Sequence, residues 1–325
     1  MAKQVVLSGM QPTGSLHLGN YEGALKNWVS LQDQYDMYCC IVDWHSLTSL
    51  YDKTDVLKDQ VFQMAVDFIA AGLDPKKCAI FVQSHVKEHS ELHLLFSMIV
   101  PIPWLERVPS YKEKASKMGL DSYGFLGYPL LQAADILLYR ANFVPVGKDQ
   151  LPHIELTREV ARRFNGLYGE VFPEPLDKLT KFAAVPGTDG QRMSKSYGNH
   201  ICLADTPEET TKKISGMFTD PEKIRKNDPG HPERCPVYAL HQIYTDSGLD
   251  KIAAECRSGE LGCVADKKHL AESINNALAP IRERAAELKA SPDTVMDILR
   301  DGAERARKRA QKTMEMVREA MGLTL

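Results

Sequence analysis

At 325 residues the chain has room for one large domain and a smaller companion, since single domains commonly run to about 100–200 residues. With 43% apolar and 26% charged residues it has the balance of a globular protein, not a disordered or fibrous one. A formal net charge of −3 announces no polyanionic partner, so any RNA site has to come from local basic surface. The opening MAKQVVLSGMQ has too short an apolar run for a secretory leader. No apolar stretch approaches the roughly 20 residues of a membrane span, so a cytoplasmic, membrane-free protein is expected. Seven cysteines, with Cys39 and Cys40 adjacent, argue for reduced thiols or a metal site instead of a disulfide scaffold.

In chain order, Val5-Val6-Leu7 reads as a short buried strand and Pro12-Thr13-Gly14 as the turn after it. Leu18, Tyr21, Leu25 and Trp28 then repeat at helical spacing. Tyr38 to Val42 is a second strand. Thr54 can cap a helix whose Leu57, Val61, Met64 and Phe68 share one face, closed by Gly72 and Pro75. Ala79 to Val82 and Phe143 to Val146 are two more strands, the last followed by a helix carrying Leu156, Val160, Phe164 and Leu167 and ended by Gly169. Strands separated by helices predict a doubly wound, parallel-sheet α/β domain of Rossmann-like type over residues 1–205. From Pro207 the strand signal disappears. Ser215 to Pro236 reads as linker or surface loops, and Glu272 to Leu288 and Val295 to Met321 as long helices, so 206–325 is expected to be an all-α domain.

Two stretches carry chemistry. In the first, Val6 to Asn20, a buried strand feeds a Pro/Gly turn and then a helix beginning beside His17. Ligands of doubly wound sheets bind at such strand ends, and a helix N-terminus attracts anions. His17 and Asn20, three apart, share a face and can both donate to phosphate oxygens, while Gly19 permits close approach to the backbone. The plain alternative is an ordinary turn with solvated side chains. In the second, Gly187 to Ser196, glycines and serines flank Arg192 and Lys195, a composition suited to an anion-gripping loop. Cations that close late favour a transition state over a ground state. A solvated basic turn is the alternative there.

His17-Leu18-Gly19-Asn20 resembles the HIGH signature of class I aminoacyl-tRNA synthetases, with Asn20 in place of the second His, as is usual in the tryptophan and tyrosine branch. Met193-Ser194-Lys195-Ser196 matches the KMSKS signature of the same class, Arg192 standing for its first lysine. Cys40 to His45, Tyr128 to Tyr139 and Val144 to Gln150 are similar to the bacterial tryptophan-specific members. The resemblance implies a ligase that activates L-tryptophan with ATP, carried as its Mg²⁺ complex, to the adenylate and pyrophosphate. The tryptophanyl group then passes to the terminal adenosine of tRNA(Trp). It implies catalytic roles for His17, Asn20, Lys114, Arg192 and Lys195. ATP would be bound by Gln11, Pro12, Thr13, Gly19, Asn20, Gly147, Lys148, Asp149, Gln150 and the loop residues Arg192, Met193, Ser194, Lys195 and Ser196. It further implies a homodimer through an inserted segment of about residues 85–140, and anticodon reading by the helical domain, whose Arg305, Arg307, Lys308, Arg309 and Lys312 form a basic stretch.

An indole needs an apolar slot and one acceptor for its N–H. Asp135, among Ala, Ile and Leu, is an acid at an apolar site and needs a partner. That partner is either a substrate N–H, as the resemblance implies, or a structural cation. By the same resemblance Leu7, His45, Val144, Val146 and Gln150 line the tryptophan site, and Tyr128 and Gln132 hold its amino group. Leu7 and Gln132 stand where some members carry Phe and Met. Some members also bind a four-iron four-sulfur cluster through four cysteines. Here Cys235, Cys256 and Cys263 are followed by Asp266 where the fourth would stand, so an iron-sulfur site, a zinc site or free thiols remain open. The rival readings are a tyrosine-specific enzyme of the same fold and a non-catalytic RNA-binding paralogue. The latter would be expected to lack His17, Asn20 or Lys195, all of which are present.

Overall fold

The computed structural model describes residues 3–119, 121–179 and 184–324, without the side chains of residues 114–118 and 179. In chain order the elements are β1 (Val5–Met10), α1 (Leu18–Asn20), α2 (Lys26–Leu31), β2 (Asp36–Ile41), α3 (Asp43–Leu50), α4 (Leu57–Ala70), β3 (Cys78–Val82), α5 (Glu88–Ser97), α6 (Ile102–Glu106), α7 (Pro109–Met118), α8 (Tyr123–Leu138), β4 (Phe143–Val146), α9 (Leu151–Tyr168) and β5 (Leu176–Leu179). Five helices follow: α10 (Pro207–Ser215), α11 (Pro236–Tyr244), α12 (Leu249–Ser258), α13 (Cys263–Ala290) and α14 (Pro292–Ala320). They divide between two compact units, one of Met1–Gly14, Asn27–Thr180 and Ser291–Leu325, the other of Ser15–Lys26 and Lys181–Ala290.

The first unit is built on a parallel five-stranded sheet in the order β3-β2-β1-β4-β5. Leu7 lies opposite Tyr38, Cys40 opposite Phe81, and Val6 opposite Phe143. Every residue of β3 and all but the first of β2 are buried. That is the sequence signature of a parallel strand covered on both faces, and it explains why these runs show no polar alternation. Helix α9 ends where Gly169 adopts φ 100°, as its position after the periodic run predicts. Leu167, expected on the buried face of that helix, is exposed. Strand β5 went unforeseen because Leu176–Leu179 contributes only four residues, two of them charged.

Helix α14 packs along β3, which places it in the sheet-bearing unit and not in the helical domain expected for 206–325. Small residues allow the approach: a Cβ on Gly302 would run into the backbone of Ile80. The basic stretch divides accordingly. Arg305 Nη2 donates to the carbonyls of Pro75 (2.6 Å) and Cys78 (3.0 Å), and Arg309 Nε donates to that of Tyr139 (2.7 Å). Those two arginines hold the helix to the sheet, while Lys308 and Lys312 are exposed.

In the second unit α13 packs on α10 and α11. Thr206 and Glu209 close a reciprocal capping box at the start of α10. Between α10 and α11 the only helical turn is Pro232–Arg234, in line with the loops expected there. The helix predicted from Leu18 is interrupted by a π-turn over Tyr21–Leu25, a feature that often accompanies functional sites. Among the described residues no helix is long and apolar enough to cross a membrane.

Candidate active site

In a parallel sheet all strands end on one edge, so Gln11–Thr13 after β1 and Gly147–Gln150 after β4 emerge on the same rim of the first unit. A Cβ at Gly147 would stand 2.6 Å from Asp149 Oδ1, so the Asp149 side chain would have to move to admit one. Gln150 Nε2 donates to Asp149 Oδ2 at 3.1 Å.

Asp135, on α8, is 4% exposed and is the centre of a buried network. Its Oδ1 accepts from Gln83 Nε2 and His89 Nδ1, both at 2.7 Å, and its Oδ2 from His45 Nε2 at 2.8 Å. A carboxylate only accepts, so both imidazoles must present N–H to it. The second nitrogen of His89 is 2.8 Å from the Tyr139 hydroxyl, which extends the chain. Burial alone would raise the Asp135 pKa, but the hydrogen bonds from His45 and His89 and the attraction of both rings outweigh it and hold the group at about 2. A carboxylate has about four acceptor positions. Three are occupied, and one remains on Oδ2.

Leu7 and Val144 belong to the same apolar cluster as Ala133 and Ala134 of α8, with Val146 packed against it. Tyr128 is buried one turn before Gln132. Its hydroxyl lies 2.7 Å from Ser110 Oγ, which is 2.8 Å from His153 Nε2. The Lys114 side chain lies outside the described residues.

The two motifs that are far apart in sequence meet inside the second unit. Leu18 N–H donates to Ile201 O at 2.9 Å and Leu203 N–H to Leu16 O at 2.8 Å. His17 caps α1: its Nδ1 accepts from Asn20 N–H at 3.3 Å, while Asn20 Oδ1 accepts from His17 N–H at 3.2 Å. This capping box has a chemical consequence. With Nδ1 accepting, the neutral ring carries its proton on Nε2, and Asn20 keeps its NH₂ for donation. Burial, then the positive charges of Lys195, His200 and Arg192, lower the His17 pKa to about 4. Gly19 is needed because a Cβ would come within 2.9 Å of the His17 ring, and Met193 lies just beyond.

The loop bearing Arg192 to Ser196 is organised by buried Asn199. Its Oδ1 accepts from Ser194 N–H at 2.8 Å, and its Nδ2 donates to Asp189 Oδ1 at 2.7 Å and to Arg192 O at 3.2 Å. Thr188 N–H returns to Asn199 O at 2.9 Å, and Gly187 leaves no room for a side chain beneath it.

The residues expected at a metal site do not fit one as placed. Among the described residues no group of three or more His, Cys, Asp or Glu is positioned to hold a metal ion. Asp266 turns to His241 Nε2 at 3.1 Å. Burial and then the Asp266 charge push the Cys256 thiol up to about 11, and burial raises Cys235 too. No step is assigned to a cluster.

Sequence reasoning missed Gln83, His89, Tyr139, Ser110, His153, Asn199 and His200. His89 offered one signal, a histidine in the first turn of α5. Asn199 offered none beyond its place after the loop.

The comparisons agree with this geometry. A family model described as tRNA synthetases class I (W and Y) matches residues 2–279. A tryptophan–tRNA ligase of Thermotoga maritima is 50% identical, covering 98% of this chain and 99% of its own, and one of Deinococcus radiodurans is 45% identical, covering 98% of each. A crystal structure of tryptophanyl-tRNA synthetase from Campylobacter jejuni, complexed with ADP and tryptophan, superimposes with a TM-score of 0.91 at 38% identity, covering 98% of this chain and all of that one. The chain therefore belongs to the class I tRNA synthetases of the tryptophan and tyrosine group.

Proposed function

We propose that the chain is a tryptophan–tRNA ligase that forms tryptophanyl-adenylate from L-tryptophan and ATP and charges tRNA(Trp) with it. The observation that carries this reading is the Asp135 carboxylate: ionised, sealed in an apolar helix, and with one acceptor position left after three protein donors. An indole has one N–H to give and nothing to accept, which matches that position. A site built around such a donor rejects analogues lacking it. The full-length relatives named as tryptophan–tRNA ligases support the same substrate.

In the reaction a carboxylate oxygen of tryptophan bonds to the α-phosphorus as the bond to the bridging β-phosphate oxygen breaks, and pyrophosphate departs with Mg²⁺. The ribose 2′-hydroxyl of the terminal adenosine then attacks the activated carbonyl, and AMP leaves. Neutral His17 donates through Nε2–H, Asn20 through its NH₂, and Arg192 and Lys195 through their charges, to phosphate oxygens whose charge grows in the transition state. Gln11 to Thr13 and Gly147 to Gln150 bind the nucleoside part of ATP, and Lys114 reaches its phosphates. Leu7, Val144 and Val146 wall the indole, and Tyr128 with Gln132 holds the α-amino group. A homodimer is supported by exposed Leu94, Met98, Ile102 and Tyr123, all in the segment 85–140. The helical region 206–325 reads the anticodon, and the protein works in the cytoplasm. Charging of a tRNA(Trp) transcript with labelled tryptophan tests the proposal. Acid-precipitable tryptophan, absent for a tRNA(Tyr) transcript, is expected, and charging of neither transcript would overturn it.

A further inference from the structure

A cavity of about 370 Å³ opens in the first unit between the turn after β3 and α14, lined by Ser84, Lys87, Met296, Arg300, Glu304 and Arg307. Its volume is in the range of ligand sites, roughly 300–1,000 Å³. Three of these side chains are cationic and one is acidic. Arg307 is fixed in place by donating from Nη2 to His85 O at 2.6 Å. Among the described residues Arg300 pairs with the exposed Asp297, at 2.5 Å, a pairing worth little in water. Of the neighbouring acids, Asp301 pairs with Arg305 at 2.9 Å and Glu91 with Arg318 at 2.6 Å, while Glu88 acts on Arg318 through its charge and has a buried Oε2 without a hydrogen-bond partner. Glu304 remains as the carboxylate facing the cavity.

Ser84 to Lys87 follow β3 on the same rim on which Gln11 to Thr13 follow β1, with only β2 between them. Two strand spacings amount to about 10 Å. A nucleic acid whose last nucleotide reacts at this rim carries its preceding phosphates within reach of such a cavity.

We propose that this cavity binds backbone phosphates in the acceptor strand of the tRNA, close to its reacting end, an inference that rests on the ligase reading above. Arginine matches phosphate with a planar fork of donors. Met296, 41% exposed, and the arginine stems offer apolar surface to an unstacked base. Glu304 opposes the anion and tunes the affinity.

The test uses the full-length protein with Lys87→Ala/Arg300→Ala and, separately, Glu304→Gln. The double variant is expected to raise the KM for tRNA about 5-fold or more. It should also reduce the slope of log affinity against log salt by about 1.4, the release expected for two phosphate contacts on a single strand. Glu304→Gln should lower the tRNA KM. Tryptophan-dependent ATP–pyrophosphate exchange should stay within about 2-fold of wild type in both. An unchanged tRNA KM and salt slope in the double variant would overturn the proposal, as would an equal loss of exchange, which would mark the cavity as part of the first step or of the fold. Binding of inorganic phosphate that the double variant abolishes, with tRNA kinetics unaltered, would show a small-anion site and also overturn it. Failure of the ligase reading is a different result, the absence of tryptophan-dependent exchange in the wild type.

Discussion

At the scale of single residues, Asp135 has two tasks that the sequence could not separate. Its carboxylate satisfies Gln83, His45 and His89 and, under the proposed function, offers an acceptor to the substrate. Asp135→Ala should therefore damage tryptophan recognition and also cost about 3–5 kcal/mol of stability, because it leaves buried donors without their charge partner. Denaturant unfolding alongside exchange kinetics checks both parts. The same group sets an acid limit. Its pKa falls from 3.8 to about 2 on folding, so its stabilisation is complete above pH 4 and is lost as pH drops toward 2. An Asp135→Asn protein should lack that step in its acid unfolding curve. His17 acts in the same direction over a higher pH range. With a pKa lowered to about 4, it stays neutral in the folded protein while the unfolded chain takes up a proton below 6.5, so this group lowers stability as pH falls from 6.5 to 4. His17→Ala should reduce the exchange kcat by about 10²–10³ with little change in tryptophan KM, the signature of a donor used mainly in the transition state.

At the scale of elements, β2 and β3 were legible because parallel strands covered on both faces are apolar nearly throughout, and β1 and β4 because their short apolar runs lie between helical repeats. The π-turn at Tyr21–Leu25 and the short, half-charged β5 were not, since neither leaves a periodic trace. The site was legible in the same uneven way. His17, Asn20, Lys195 and Asp135 stand in recognisable local patterns, but Gln83, His89 and Asn199 act through contacts that only folding creates. Asn199 is the clearest case, a residue outside the signature that holds Asp189, Arg192 and Ser194 in one turn. Asn199→Ala should lower the exchange kcat toward the level of Lys195→Ala while leaving tryptophan KM near wild type. A single-turnover measurement of adenylate formation would test this, and a wild-type rate would contradict it.

At the scale of the whole molecule, the last helix returns to the first unit, a long-range event that composition cannot announce. Its contact with β3 depends on the absence of a side chain at Gly302. Gly302→Ala should destabilise the fold by about 1–3 kcal/mol through overpacking, measurable as a lowered melting temperature with exchange chemistry retained at low temperature. Under the proposed function, one acidic acceptor and one set of phosphate-binding residues together make a tryptophan-activating enzyme. Amino-acid-dependent ATP–pyrophosphate exchange tests it most directly. Exchange driven by tryptophan and not by tyrosine is predicted, whereas exchange driven by tyrosine alone, or by neither amino acid, would contradict it.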